Sequence, residues 1–356
     1  MPTAAPLLAG GEGGGAEWQV LLLARELARR GHAVGIVAFD DARGLPSRFD
    51  GVDVVELRRP ALRLPLVRTA AFYARTFATL RANPSRVLVQ RAAGIHTALA
   101  AVAARLLRRR FVFASAGLHD FDLEIWEPKR WIVRAYRLGV RLADAVVVQT
   151  AEQAELCRVR FGREPVLIRS IAEPARAPEA VPEAFLWIGR LIAHKQPLAY
   201  AELARALPEA RFRMVAVDDP SPEGRDLRKA LEAAAEATPN LELIPESPRE
   251  EVGALLDRAV AVVSTSRSEG MPNVFLEGWS RGVPALALAH DPDGLIERER
   301  LGGFAGGSPA RLAELARELW EARGERDELS ARCRGYVERE HDPAAVADRW
   351  EALLGI

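Results

Sequence analysis

Apolar and polar positions follow two rhythms along this chain. Short, β-branched apolar runs are separated by longer stretches whose apolar positions recur at helical spacing. In the first half the short runs are AVGIVAF (33–39), RVLVQ (86–90), RFVFASA (110–116), AVVVQ (145–149) and VLIRS (166–170). In the second half they are AFLWIG (184–189), RFRMVAV (211–217), LELIP (241–245), AVAVVST (259–265) and VPALAL (283–288). Runs this short and apolar on both alternating faces predict strands of buried parallel sheets. TAAPLLA (3–9) predicts a weaker strand ahead of a Gly-rich loop. AEWQVLLLARELARRG (16–31) predicts a helix that stops at Gly31. Strand and helix alternating throughout predict an α/β protein of Rossmann-like, doubly wound parallel sheets.

The segment IAEPARAPEAVPEA (171–184) has no period and is rich in Pro and Ala, which reads as a linker. It divides the chain into residues 1–172 and 173–341. The closing stretch DPAAVADRWEALLGI (342–356) opens on a helix-start signal and can pack on either half, including back on the first. The length of 356 residues suits two domains at roughly 150 residues each.

Composition then narrows the class. Cys157 and Cys333 are the only cysteines, which excludes a disulfide framework or a Cys-rich zinc site and suits a reducing compartment. No apolar run approaches the ~18 residues of a membrane span. The start MPTAAPLLAGG lacks the basic region of a signal peptide. A cytoplasmic protein is expected. Formal net charge is zero and names no partner, but Lys129, Lys195 and Lys229 are the only lysines among 49 basic residues.

The chemistry concentrates in STSRSEGMPNVFLEGWSRGVPALAL (264–288). A strand ends in a polar loop at Ser266–Gly270, and a helix is expected from Pro272 to Arg281. Pro suits the first helical turn, and Gly282 suits the stop. The helix N-terminus faces the carboxyl edge of the sheet, where ligands of open α/β sheets bind and anions are favoured. Glu269 in the loop and Glu277 in the helix offer carboxylates to sugar or ribose diols. Upstream, FLWIGRLIAHKQPLAYAELARAL (185–207) repeats the plan. Gly189 lets the backbone turn at the strand end. Arg190 and Lys195 follow as phosphate-binding cations.

The pattern G189-R190-L-x3-K195 followed by S268-E269-G270-M-P-N-x3-E277 resembles the retaining glycosyltransferases of family 4 (glycosyltransferase group 1). The resemblance extends to PREEVGALLDRAVAVVSTSRSEG (248–270), ADAVVVQTAEQAELCRVRFG (143–162) and GGGAE (13–17). It implies the GT-B fold, two Rossmann-like domains facing a central cleft, with the acceptor on the first and a nucleotide-sugar donor on the second. It implies a hexosyltransferase that moves sugar from a nucleotide-diphosphate sugar (UDP- or GDP-linked) to an acceptor hydroxyl with retention. The acceptor would be a glycan, a lipid-linked sugar or a polysaccharide precursor. On this resemblance Arg190 and Lys195 neutralise the leaving diphosphate. Glu277 binds the ribose hydroxyls, and Glu269 contacts the transferred sugar. Backbone N–H groups near Met271, Asn273 and Val274 meet donor oxygens. Two cations at the diphosphate remove the need for a metal, and no cofactor is required. The family's front-face attack needs no protein nucleophile.

In the first half, GGEGGGAEW (10–18) opens a helix, and the resemblance nominates Gly14 and Gly15 for close approach to a phosphate. His119 and Asp120 follow strand 110–116; family members often carry a His or Asp here that contacts the donor sugar or the acceptor. His119 also suits proton transfer near neutral pH. Arg91 and Gly94 are acceptor-side candidates. An alternative rests on the same loop. Gly11, Gly13 and Ala16 satisfy G-x-G-x-x-[GA], and Asp40 and Asp41 end the next run, as in an NAD(P)-dependent oxidoreductase. A further alternative is an inactive sugar-nucleotide-binding relative. Residues 51–112 hold twelve arginines against Asp53 and Glu56. That basic region, 58–110 above all, suits peripheral contact with the anionic inner face of a membrane. No nucleic-acid signature accompanies the charge.

Overall fold

In the computed structural model the described residues are 5–8, 14–39, 44–58, 60, 64–122, 129–178 and 180–356. The chain forms two compact units. The first comprises residues 1–171 with Pro343–Ile356, and the second Ala172–Asp342.

The first unit holds β1 (Gly35–Phe39), β2 (Arg48–Phe49), β3 (Val52–Leu57), β4 (Val87–Arg91), β5 (Arg110–Ala114), β6 (Ala145–Val148) and β7 (Val166–Leu167). β4-β5-β6-β7 form one parallel sheet in chain order, and β1-β3-β2 a second, in which β2 is antiparallel to β3. The strand expected at 3–9 is not formed where described: Ala5–Leu8 are helical. Leu7 and Leu8 are buried against Leu21, Ile36 and Val52. The helical segment APLL has no β-branched residue and carries Pro6, so side-chain burial, not strand propensity, decides its form. β2 and β3 escaped the sequence reading because β2 is only two residues long and Asp53 and Glu56 interrupt the apolar run of VDVVEL.

Helix Gly15–Arg29 ends as expected, with Gly31 at φ +92°. Helix Ala151–Phe161 is capped by Thr150, whose hydroxyl accepts from the Gln153 N–H (3.1 Å), and stops at left-handed Gly162. The closing helix Pro343–Leu354 belongs to the first unit. Its Val346 and Trp350 are buried with Leu22, Ile168 and Ile171, and Arg30 binds Asp348 (2.6 Å) and Glu351 (2.7 Å).

The second unit holds β8 (Ala184–Arg190), β9 (Phe212–Val217), β10 (Leu241–Ile244), β11 (Ala259–Ser264), β12 (Ala285–Ala287) and β13 (Gly302–Phe304). All pair parallel, in the order β10-β9-β8-β11-β12-β13. Phe185 and Trp187 pack on one face of the sheet and Leu186 on the other, so the run is apolar without interruption. β13 was missed because GGF reads as a turn. There Gly302 has φ +150°, and a Cβ would lie 1.8 Å from the Ala285 carbonyl oxygen. Only glycine permits that approach.

Candidate functional site

The strand order of the second unit reverses between β8 and β11. From that pair the chain proceeds outward to β9 and β10 on one side and to β12 and β13 on the other. Loops leaving such a switch point diverge and open a crevice at the carboxyl edge. Arg190 and Lys195 leave β8; Ser266 to Glu277 leave β11.

The two loops are tied together. Buried Thr265 accepts a hydrogen bond from Trp187 Nε1 (3.0 Å) and donates one to the Lys195 carbonyl (2.6 Å). The Arg267 N–H donates to the His194 carbonyl (2.9 Å). Gln196, in the left-handed region at φ +46°, then turns the chain into helix Pro197–Ala206. Gly189 leaves the room this needs, since a Cβ there would meet the Trp187 ring at 3.0 Å and Lys195 Cδ at 3.2 Å.

Lys195 and Glu269 are brought together. Lys195 Nζ lies 2.5 Å from Glu269 Oε1, which also accepts from Ser266 Oγ (2.8 Å). Burial acts to raise the Glu269 pKa, but the Lys195 charge, the Lys195 and Ser266 hydrogen bonds and the nearby His194 outweigh it. The carboxyl is held below its ordinary value. Arg190 is exposed at the end of β8. Asp219, in the loop after β9, is held low by hydrogen bonds from Ser221 and, to a lesser degree, by Arg190.

Helix Asn273–Ser280 starts one residue inside the expected bound, with Pro272 as its N-cap. Met271 is buried in the core with Phe275 and Trp279, so its side chain is taken up by packing. Asn273, Val274 and Glu277 are partly exposed. Glu277 pairs with Arg249, which the sequence reading missed. Arg249 lies 28 residues upstream at the start of helix Arg249–Asp257, so no local spacing links it to Glu277. Ser266 was missed as an individual partner, although it stands in the same polar loop.

In the first unit, Gly14 is the N-cap of helix Gly15–Arg29, and Gly15 its first residue. Glu17 occupies the first turn, where negative charge is favoured. His119 and Asp120 divide their roles. Asp120 is fully buried and accepts from the N–H groups of Ala93 (2.9 Å), Ala116 (2.5 Å) and Gly117 (3.3 Å). It pins the loops after β4 and β5. His119 is half exposed, with Nε2 3.5 Å from Asp120 Oδ1. Arg91 ends β4, and its Nε has no hydrogen-bond partner. Burial pulls its pKa down to about 10, against the opposing charges of Asp120 and Glu17. Gly11, Gly13, Asp40 and Asp41, which carry the oxidoreductase alternative, lie outside the described residues.

Among the described residues no group of three or more His, Cys, Asp or Glu is arranged to hold a metal ion. No helix of the described residues is long and apolar enough to cross a membrane.

Comparison with known proteins fits this geometry. Sucrose-phosphate synthase from Thermosynechococcus elongatus superposes with a TM-score of 0.76 at 16% identity, covering 96% of this chain and 93% of that one. The Anabaena protein HepE in complex with UDP and glucose gives 0.75 at 16% identity, covering 97% of both chains. A Xenopus tropicalis protein, glycosyltransferase 1 domain-containing protein 1, is 25% identical over 126 residues, 35% of this chain. That match spans only 36% of the relative's length. Residues 14–172 match the glycosyl transferase 4-like domain, and residues 173–340 match glycosyl transferases group 1. With both halves matched and the fold shared, the chain belongs to the group 1 glycosyltransferases of the GT-B fold.

Proposed function

We propose that this protein transfers a hexose, with retention, from a UDP-sugar to an acceptor hydroxyl on a glycan, lipid-linked sugar or polysaccharide precursor. The observation that carries the reading is the Lys195–Glu269–Ser266 cluster at the β8/β11 switch point. A cation and a carboxylate on loops from adjacent strands offer one group to a diphosphate and one to sugar hydroxyls. HepE was solved with UDP-glucose, which favours UDP among nucleotide donors.

In this assignment residues 173–341 bind donor and 1–172 bind acceptor. Lys195 and Arg190 neutralise charge as the diphosphate leaves, which is the main catalytic contribution and needs no metal. Glu277 accepts from the ribose diol, and Glu269 from the transferred sugar. Gly189 keeps Lys195 in place. Backbone N–H groups at Met271, Asn273 and Val274 receive donor oxygens. On the acceptor side, His119 binds a hydroxyl or moves its proton, and Gly14 and Gly15 let backbone approach a phosphate. The setting is the cytoplasm, with region 58–110 in peripheral contact with an anionic membrane.

The test is donor hydrolysis and thermal stabilisation with UDP-, GDP- and ADP-sugars. Lys195→Ala should lower kcat/KM by about 10²–10³. NMR of the product should show the donor's anomeric configuration, and chelators should leave the rate unchanged. Wild-type rates in the Lys195 variant would refute the assignment.

A further inference from the structure

Strand β4 carries an arginine on a face otherwise used for apolar packing. Its Val87 packs with Leu22, Ile168 and Trp350, while Leu88 packs on the opposite face of the sheet. Side chains alternate along a strand, so Arg91 follows Val87 and Val89 to the covered face. There it lines a narrow cavity built wholly by the first unit. Gln19 and Leu23 of helix Gly15–Arg29 line it too, with Arg169 and Ser170 after β7 and Trp350 of the closing helix. The cavity is partly open to solvent and takes one compact group rather than a whole sugar.

The polar neighbours of the cavity satisfy one another. Gln19 Oε1 accepts from the Ile171 N–H (2.8 Å), and Gln19 Nε2 donates to the Ile171 carbonyl (2.8 Å). Ser170 Oγ donates to Gln149 Oε1 (2.6 Å). Arg91 takes no part in this: its Nε is shielded from water and meets no acceptor. Asp120 and Glu17 act on it through space, yet among the described residues no carboxylate forms an ion pair with it. Asp120 is committed to three backbone N–H groups. Burial lowers the Arg91 pKa to about 10, so the side chain is still charged at neutral pH. A buried cation without a paired anion is costly, and a bound anion removes that cost. Arg169 brings a second guanidinium to the same cavity, with its Nη1 shielded from solvent.

We propose that Arg91 and Arg169 form a seat for a phosphate group, held by charge-assisted hydrogen bonds from two guanidinium forks. Arg91 ends β4 at the carboxyl edge of its sheet, the edge from which the chain leaves β5 toward His119. Ligands of open α/β sheets bind at that edge. Two sources supply such a group. Under the reading that residues 1–172 bind acceptor, it is a phosphate carried by the acceptor; the other source is a free phosphate ion. Every residue of the seat belongs to the first unit, so the proposal stands apart from the donor-site assignment.

Calorimetric titration of the full chain with inorganic phosphate, at an ionic strength held constant with chloride, tests it. Arg91→Gln and Arg169→Gln should each weaken binding at least about ten-fold, and Lys195→Ala should leave this binding in place. Arg91→Lys should restore it only in part, since an ammonium lacks the fork. Glycerol 3-phosphate separates the sources. Binding as tight as that of inorganic phosphate supports a phosphate carried on a larger molecule, and binding of inorganic phosphate alone supports the free ion. Absence of phosphate binding, or equal binding by wild type and Arg91→Gln, would overturn the proposal. So would binding that Lys195→Ala abolishes and Arg91→Gln spares, since the anion would then sit in the second unit. In phosphate-free buffer Arg91→Met should unfold no earlier than wild type, and it should lose the stabilisation that phosphate gives wild type. Earlier unfolding of that variant, with no effect of phosphate on wild type, would make Arg91 a structural residue and overturn the seat.

Discussion

Glu269 is a carboxylate whose charge is maintained against burial by three neighbours, Lys195, Ser266 and His194. Its pKa in the folded protein lies below the unfolded value near 4.5. The pairing therefore adds stability above that value and loses it as pH falls through the folded pKa. The gap in unfolding midpoint between wild type and Glu269→Gln should be widest near neutral pH and narrow progressively below pH 4.5. A gap that is constant with pH would mean that the pair adds nothing to stability. Arg249 holds Glu277 by a charge-assisted hydrogen bond, which in the proposed assignment fixes the carboxylate for the donor's ribose. Arg249→Ala should raise the donor KM by about ten-fold with a smaller change in kcat. It should also reduce the preference for the intact nucleotide over its 2′,3′-dideoxy analogue, which a purely structural role would leave untouched. The sequence exposed Lys195 and Glu269 because each sits beside a strand end with Gly nearby. It hid Arg249, whose partner is met only through folding.

Elements set the accuracy with which these residues are aimed. β8 and β11 lie side by side, and Thr265, just after β11, bonds Trp187 in β8 and the Lys195 carbonyl in the loop that follows β8. In the first unit Gly139 lets helices Arg130–Leu142 and Ile95–Leu106 meet backbone to backbone, since a Cβ there would lie 2.6 Å from the Ala98 backbone nitrogen. Gly139→Ala should destabilise by about 1–3 kcal/mol through overpacking, read from chemical denaturation. An unchanged midpoint would show that the helices can move apart freely. The second unit's strands were the more legible in sequence, because apolar runs buried on both faces have one reading. Val52–Leu57, interrupted by Asp53 and Glu56, and Gly302–Phe304, a glycine-rich edge, lack that signal. Residues Ala5–Leu8 show the converse: an apolar run whose strand reading lost to helical burial of Leu7 and Leu8.

At the scale of the molecule, the chain leaves the first unit after Ile171 and returns to it at Pro343. The returning helix covers Leu22, Ile168 and Ile171 with Trp350 and Val346, and its Asp348 and Glu351 bind Arg30. Truncation after Asp342 should lower the unfolding transition of the first unit, since each large buried side chain contributes about 1.5–3 kcal/mol. The transition of the second unit should stay in place. Scanning calorimetry distinguishes this from a uniform shift of both.

The sequence by itself determined the α/β class, most of the strands, the break near residue 171 and the clustering of Gly, Arg, Lys and Glu at two strand ends. These are local properties: hydrophobic period, chain-breaking residues and spacing within one loop are written in neighbouring positions. Only the tertiary structure decided that Asp120 is a buried loop anchor while His119 faces solvent, and that Arg249 meets Glu277. It alone decided that helix Pro343–Leu354 serves the first unit, and that Trp131 and Leu138 remain uncovered. Each of those depends on which surfaces, distant along the chain, exclude water from one another.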